Sequence, residues 1–123
     1  MRIVAIVARF ILGLLFTVFG LNGLFHFMPN PPATPGAAAF FGALAATHYM
    51  FALIFVSQVI GGVLLLIGIW IPFAVVLLAP IVVNIVAFHI FLAPAVLPLA
   101  IVVLLCWLIL VWQNREAYAP LFR

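Results

Sequence analysis

Between Arg9 and Arg115 the chain carries no charged side chain, a gap that covers residues 10–114. A water-soluble fold must present polar groups over its surface. This chain of 123 residues is 72% hydrophobic and 4% charged, with one acid, Glu116, and no Lys or Asp. It cannot build such a surface, so its solvent is lipid. The expected product is one small membrane domain over residues 1–123, with no room for a second.

The formal charge of +3 comes from Arg2, Arg9, Arg115 and Arg123 against Glu116, all near the two ends. Charges so placed read as membrane anchors. A nucleic-acid footprint would need a clustered basic face, so no nucleic-acid partner is expected. Cys106 is the one cysteine, which rules out an intrachain disulfide, and its apolar setting reads as an inert buried thiol. Arg2 and Arg9 ahead of an apolar run could suggest a signal peptide. That run continues from Phe10 to Met28, long for such a segment, and is read as a retained first span.

A spanning helix needs about 20 mostly apolar residues. Four stretches qualify: residues 3–27, 48–71, 72–92 and 94–112. The expected fold is an all-α membrane protein, an antiparallel bundle of four transmembrane helices with an outer loop over residues 28–47. The Pro-rich start of that loop, residues 29–35, cannot be regular helix. Its continuation AAAFFGALAA suits a short interfacial helix. The joints around Pro72 and Pro94 are tight enough to force antiparallel neighbours, both prolines suit a first helical turn, and Pro80 predicts a kink. Gly13, Gly20 and Gly23 of the first span and Gly61, Gly62 and Gly68 of the second are candidates for close packing, although glycine is also simply common in membrane helices. The arginines at both ends put both termini in the cytoplasm under the positive-inside rule, with Trp70, Trp107, Trp112 and Tyr118 near that interface.

Depth estimated from the helical rise sorts the polar residues. Asn22, His26, His48, Gln58, Asn84 and His89 all fall between the midplane and the outer face, and the fourth span has no comparable group before Gln113. The pattern suggests an outward-facing polar pocket built by the first three spans and walled by the fourth. The plain alternative is that these groups tie helices together, at roughly 0.6–2 kcal/mol each. Intramembrane polar groups are costly and tend to mark sites. Asn22 and His26 are four apart and share a face. Asn84 and His89 are five apart, about 140° around the helix, and cannot both point at one small ligand.

The chemistry available is narrow. No acid lies in the membrane, and neither a nucleophile–base constellation nor a phosphate loop is present. No catalytic residue is expected. HFM at 26–28 and HYM at 48–50 place His26, Met28, His48 and Met50 as an outside chance for copper, and paired histidines as one for haem, without a recognised spacing. A quinone or other lipid-like molecule fits better, since its carbonyls need one or two donors and its tail an apolar wall.

The segments RFILGLLFTVFGLNGLFHFMP, GGVLLLIGIWIPFAVVLLAPIVVNIVAFHIFL and PLAIVVLLCWLILVWQNREAYAPLF, in that order, resemble DoxX-family membrane proteins over nearly the whole chain. The likeness includes FGLNGLFHF, the FH at 88–89 and the tail with Arg115, Tyr118 and Pro120. It implies a four-helix protein of the bacterial inner membrane and makes Asn22, His26, Asn84 and His89 pocket residues. Some relatives are linked to thiosulfate:quinone oxidoreduction or to oxidative-stress membrane complexes, and distant ones act as assembly chaperones or cargo receptors. Relatives often carry an acid in the second span; here Gln58 is its strongly polar group, which speaks against proton-coupled chemistry. Two functional readings follow. One is an accessory subunit of a larger redox-linked complex, holding a quinone or lipid. The other is a homo-oligomeric carrier or chaperone-like protein for a small amphipathic molecule. An autonomous oxidoreductase lacks a cofactor signature.

Overall fold

The computed structural model describes residues 2–25, 34–92, 94 and 97–122. These are helical almost throughout: α1 (Arg2–Phe25), α2 (Pro35–Ala46), α3 (Met50–Ile67), α4 (Ile71–Phe91), α5 (Leu97–Gln113) and the short α6 (Arg115–Tyr118), which runs into a 3₁₀ turn over Ala119–Phe122. Three helices, α1, α3 and α4, are long and apolar enough to cross a membrane. α5 joins them as a fourth if it is counted with the segment behind it, from which it is bent by 76° at Asn114. α2 is apolar but too short.

The helix ends have local causes. α3 stops at Gly68, whose φ of +78° suits a residue without a side chain, and the N–H groups of Gly68 and Ile69 both donate to Leu64 O. The last helical residue, Ile67, falls four residues short of the end at 71 expected from the sequence. Trp70 then adopts a left-handed conformation, φ +52°, which turns the chain directly into α4 with Pro72 in its first turn. Pro80 lies inside α4 without ending it. α5 begins at Leu97 and not at 94, so Pro98 takes the first-turn place expected of Pro94. Between α2 and α3 one hydroxyl manages the corner. Thr47 Oγ1 donates to Leu44 O at 2.7 Å and accepts from Met50 N at 3.1 Å.

α1 packs against α3 and α5, and α4 packs against the same two helices. The α1–α3 seam is the closest. Gly13 and Gly20 of α1 meet Gly62, Val59 and Gln58 of α3 with no room for a further side chain. The glycines expected to permit close packing do so on both sides of this seam, and Gly61 does the same for Leu78 of α4. The apolar core combines Leu12 and Phe16 of α1, Leu65 of α3, Val75, Leu78 and Val82 of α4 and Leu110 of α5, with Cys106 buried among them as a free thiol. In lipid such packing is held by dispersion and close contact, not by exclusion of water. Two ties fasten α5 and its tail to α4: Trp107 Nε1 donates to Val75 O at 3.0 Å, and Tyr118 OH donates to Pro72 O at 3.2 Å.

Candidate functional site

The polar residues singled out above go to different places. Gln58 is buried, 8% exposed, with its Cβ against Gly20, and its amide makes no hydrogen bond among the described residues. Asn22 is equally buried, at 7%. It lies two residues beyond Gly20, about 200° around an ideal helix from the face that Gly20 turns to Gln58. His48 is exposed in the turn between α2 and α3, where its φ of +67° serves the chain reversal. His26 and Met28 lie outside the described residues. Met50 is half-buried at the start of α3, and among the described residues no cluster of three or more His, Cys, Asp or Glu forms.

On α4 the helical spacing separates Asn84 from His89 as the residue count requires. His89 is half-buried, and its Nδ1–H donates to Ile85 O at 2.7 Å, one turn back on its own helix. A carbonyl oxygen only accepts, so that bond requires a proton on Nδ1. Asn84 is exposed on the outer side of α4, and its amide makes no hydrogen bond among the described residues. The groove that Asn84 lines does not include Asn22, His48, Gln58 or His89.

The structure instead builds an apolar groove of about 250 Å³ between α2 and α4, lined by Phe40, Asn84, Ala87, Phe88, Phe91 and Leu92. Its construction starts at Thr34. This hydroxyl caps α2 by accepting from Ala37 N at 3.2 Å and donates to Leu92 O, at the end of α4, at 2.6 Å. Gly36 in the first turn of α2 admits the Leu92 side chain, which would stand 3.0 Å from any Cβ there. With α2 so placed, Phe40 and Phe41 reach Phe88 at ring-centroid distances of 5.4 and 5.1 Å. Phe41 also meets Phe51 at 6.2 Å, which stacks on Phe55 at 5.5 Å. The groove thus has aromatic walls and one polar side chain, Asn84, at its edge. It can take a flat or chain-like apolar molecule that presents one hydrogen-bonding group.

Sequence reasoning missed this aromatic cluster. The signal was present in the paired Phe40 and Phe41 of the short helix and in Phe51 and Phe55, one turn apart, but nothing local tells which of them meet Phe88. A larger open concavity, about 520 Å³, is lined by Trp112, Gln113, Asn114, Arg115, Glu116 and Ala117, at the bend after α5. It is the outside of a turn. Arg115 there is already engaged, donating from Nη1 to Trp112 O at 2.8 Å and standing 4.3 Å over the Trp112 ring. Comparison of the chain with protein families, curated proteins and solved structures yields no match in any of the three.

Proposed function

We propose that the chain is a DoxX-like, four-span integral protein of a bacterial inner membrane, with both termini cytoplasmic. It acts without catalysis of its own, as an accessory subunit of a larger redox-linked membrane complex, and it holds a quinone or similar lipid-like molecule in the groove between α2 and α4. The observation that supports this is Asn84. Its amide sits without a hydrogen bond among the described residues, exposed on a helix whose one other polar side chain is His89, and it lines an aromatic-walled groove. In hydrocarbon such an amide costs a few kcal/mol unless something else bonds to it, and a ligand carbonyl seated between Phe40 and Phe88 would do so.

The test is native mass spectrometry on protein taken from its own membrane in mild detergent. A heteromeric mass with a bound quinone or lipid, lost in Asn84→Leu while the helical content is unchanged, is the expected result. A bare single polypeptide with no ligand, unaltered by that substitution, would overturn it. The alternative, a homo-oligomeric carrier or chaperone-like protein for a small amphipathic molecule, draws on the same amide. A carboxamide is both donor and acceptor and can pair with its own copy across a two-fold axis. It predicts one polypeptide in a defined small oligomer that Asn84→Leu dissociates.

A further inference from the structure

Arg9 has an unusual seat. Its guanidinium lies on the bare side of Gly68, the left-handed residue that ends α3, with Nη1, Cζ and Nη2 at 2.9, 3.5 and 3.8 Å from the place a Cβ would take. The ring of Phe10 flanks it at 4.7 Å. The C-terminal end of a helix carries partial negative charge, so the cation is held there by the α3 carbonyls as a group. Yet Nε is buried without a hydrogen-bond partner, and no ion pair to the guanidinium forms among the described residues. The chain has one acidic side chain, Glu116, against four arginines. Arg9 therefore has a fixed position and an available donor fork, and among the described residues no anion meets it.

Its level on the helices says which anion would. From Arg9 to Phe25 α1 rises about 24 Å, and α3 from Met50 to Ile67 about 26 Å, both close to the thickness of a bilayer's hydrocarbon. Arg9 and Gly68 thus stand together at one boundary of the apolar layer, where lipid phosphates lie. Arg2, seven residues before Arg9, projects from the same face of α1 and is exposed. Trp70, 69% exposed, follows just after Gly68, and such amphipathic rings favour the headgroup level.

We propose that Arg9, seated on Gly68, binds the phosphate of an anionic phospholipid headgroup, with Arg2 on the same face adding a second positive charge. A guanidinium presents paired N–H groups that match two phosphate oxygens, which a lysine cannot do. The site rests on the membrane reading given above, but not on the groove or its ligand.

The experiment uses the full chain, delipidated in mild detergent and titrated separately with phosphatidylglycerol and phosphatidylcholine, with bound lipids counted by native mass spectrometry. One phosphatidylglycerol should bind about tenfold more tightly than phosphatidylcholine. Arg9→Gln should abolish that preference, Arg9→Lys should keep part of it, and Arg115→Gln should leave it intact. Millimolar inorganic phosphate should not displace the lipid. Equal binding of the two lipids by the unaltered chain, or full retention of the preference in Arg9→Gln, would overturn the proposal. So would displacement by free phosphate, or a partner protein whose loss in Arg9→Gln shows a carboxylate to be the anion. If Arg9→Gln loses its helical signal, the comparison of the two lipids on the unaltered chain and on Arg9→Lys still decides. Alkaline extraction of native membranes separates the two levels: a chain released from the membrane sinks the membrane reading, whereas a retained chain with no lipid preference sinks this site alone.

Discussion

Thr34 Oγ1 donates to Leu92 O across 58 positions of sequence, at 2.6 Å. The same oxygen accepts from Ala37 N, so a single hydroxyl both caps α2 and pins it to the end of α4. A valine at this position has the same shape and neither bond. Thr34→Val is expected to cost about 1–2 kcal/mol, the sum of a lost cap and a lost tie. Amide hydrogen exchange checks it: α2 should lose protection while α1 and α3 keep theirs. Uniform change, or none, would show that Thr34 does not place α2.

The α1–α3 seam predicts opposite outcomes for two glycines. A Cβ on Gly62 would lie 2.5 Å from Thr17 Oγ1, 2.7 Å from Thr17 N and 2.8 Å from Gly13 O, and two of these are backbone atoms that cannot move aside. Gly62→Ala should therefore destabilise by about 1–3 kcal/mol. Gly42 on α2 has nothing within 4 Å of its Cβ position. Gly42→Ala should be neutral or stabilising by up to about 1 kcal/mol, through helix propensity alone. Thermal unfolding in one detergent ranks the pair, and the reverse order would mean the helices do not pack in this register.

Two buried polar groups are candidates for removal. Thr17 Oγ1 is fully buried without a partner, and the buried Gln58 amide is unbonded among the described residues. A buried polar atom left unmade costs stability, so an isosteric apolar replacement can gain it. Thr17→Val and Gln58→Met are each expected to be neutral or stabilising by about 1 kcal/mol. A marked loss of stability in Gln58→Met, or the loss of a co-purifying ligand, would instead assign that amide a partner.

Tyr118 supplies a pH dependence on α6, beyond the bend at Asn114 and outside the three long apolar helices α1, α3 and α4. Burial pushes its hydroxyl above the ordinary tyrosine value, so the fold favours the protonated phenol that donates to Pro72 O. The sign follows. This contribution is fully present below the unfolded value of about 10 and is lost as pH rises through the raised one. Tyr118→Phe should cost at most about 1 kcal/mol at neutral pH and should flatten the alkaline fall in thermal midpoint. An unchanged alkaline profile in the variant would place the titration elsewhere.

What the sequence by itself determined is the solvent and the helices. The absence of charge over residues 10–114 and the length of the apolar runs are sums over local composition, and transfer into lipid depends on such sums. The short helix after the Pro-rich segment was legible for the same reason, and so were the glycines of the α1–α3 seam. The 140° between Asn84 and His89 followed from helical spacing alone. The tertiary structure decided the rest. The end of α3 at Gly68 follows the local glycine stop, but no local rule calls for the left-handed Trp70 that turns the chain on into α4. Asn22 and Gln58 are both buried, His89 bonds to its own helix, and Asn84 is left outside. Those outcomes depend on which face of each helix meets a neighbour, and in lipid, where every face is apolar, hydrophobicity does not choose that face. Close fit does, through pairs such as Gly13 with Gly62, Gly36 with Leu92 and Arg9 with Gly68, and fit is a property of two segments that only the folded chain brings together.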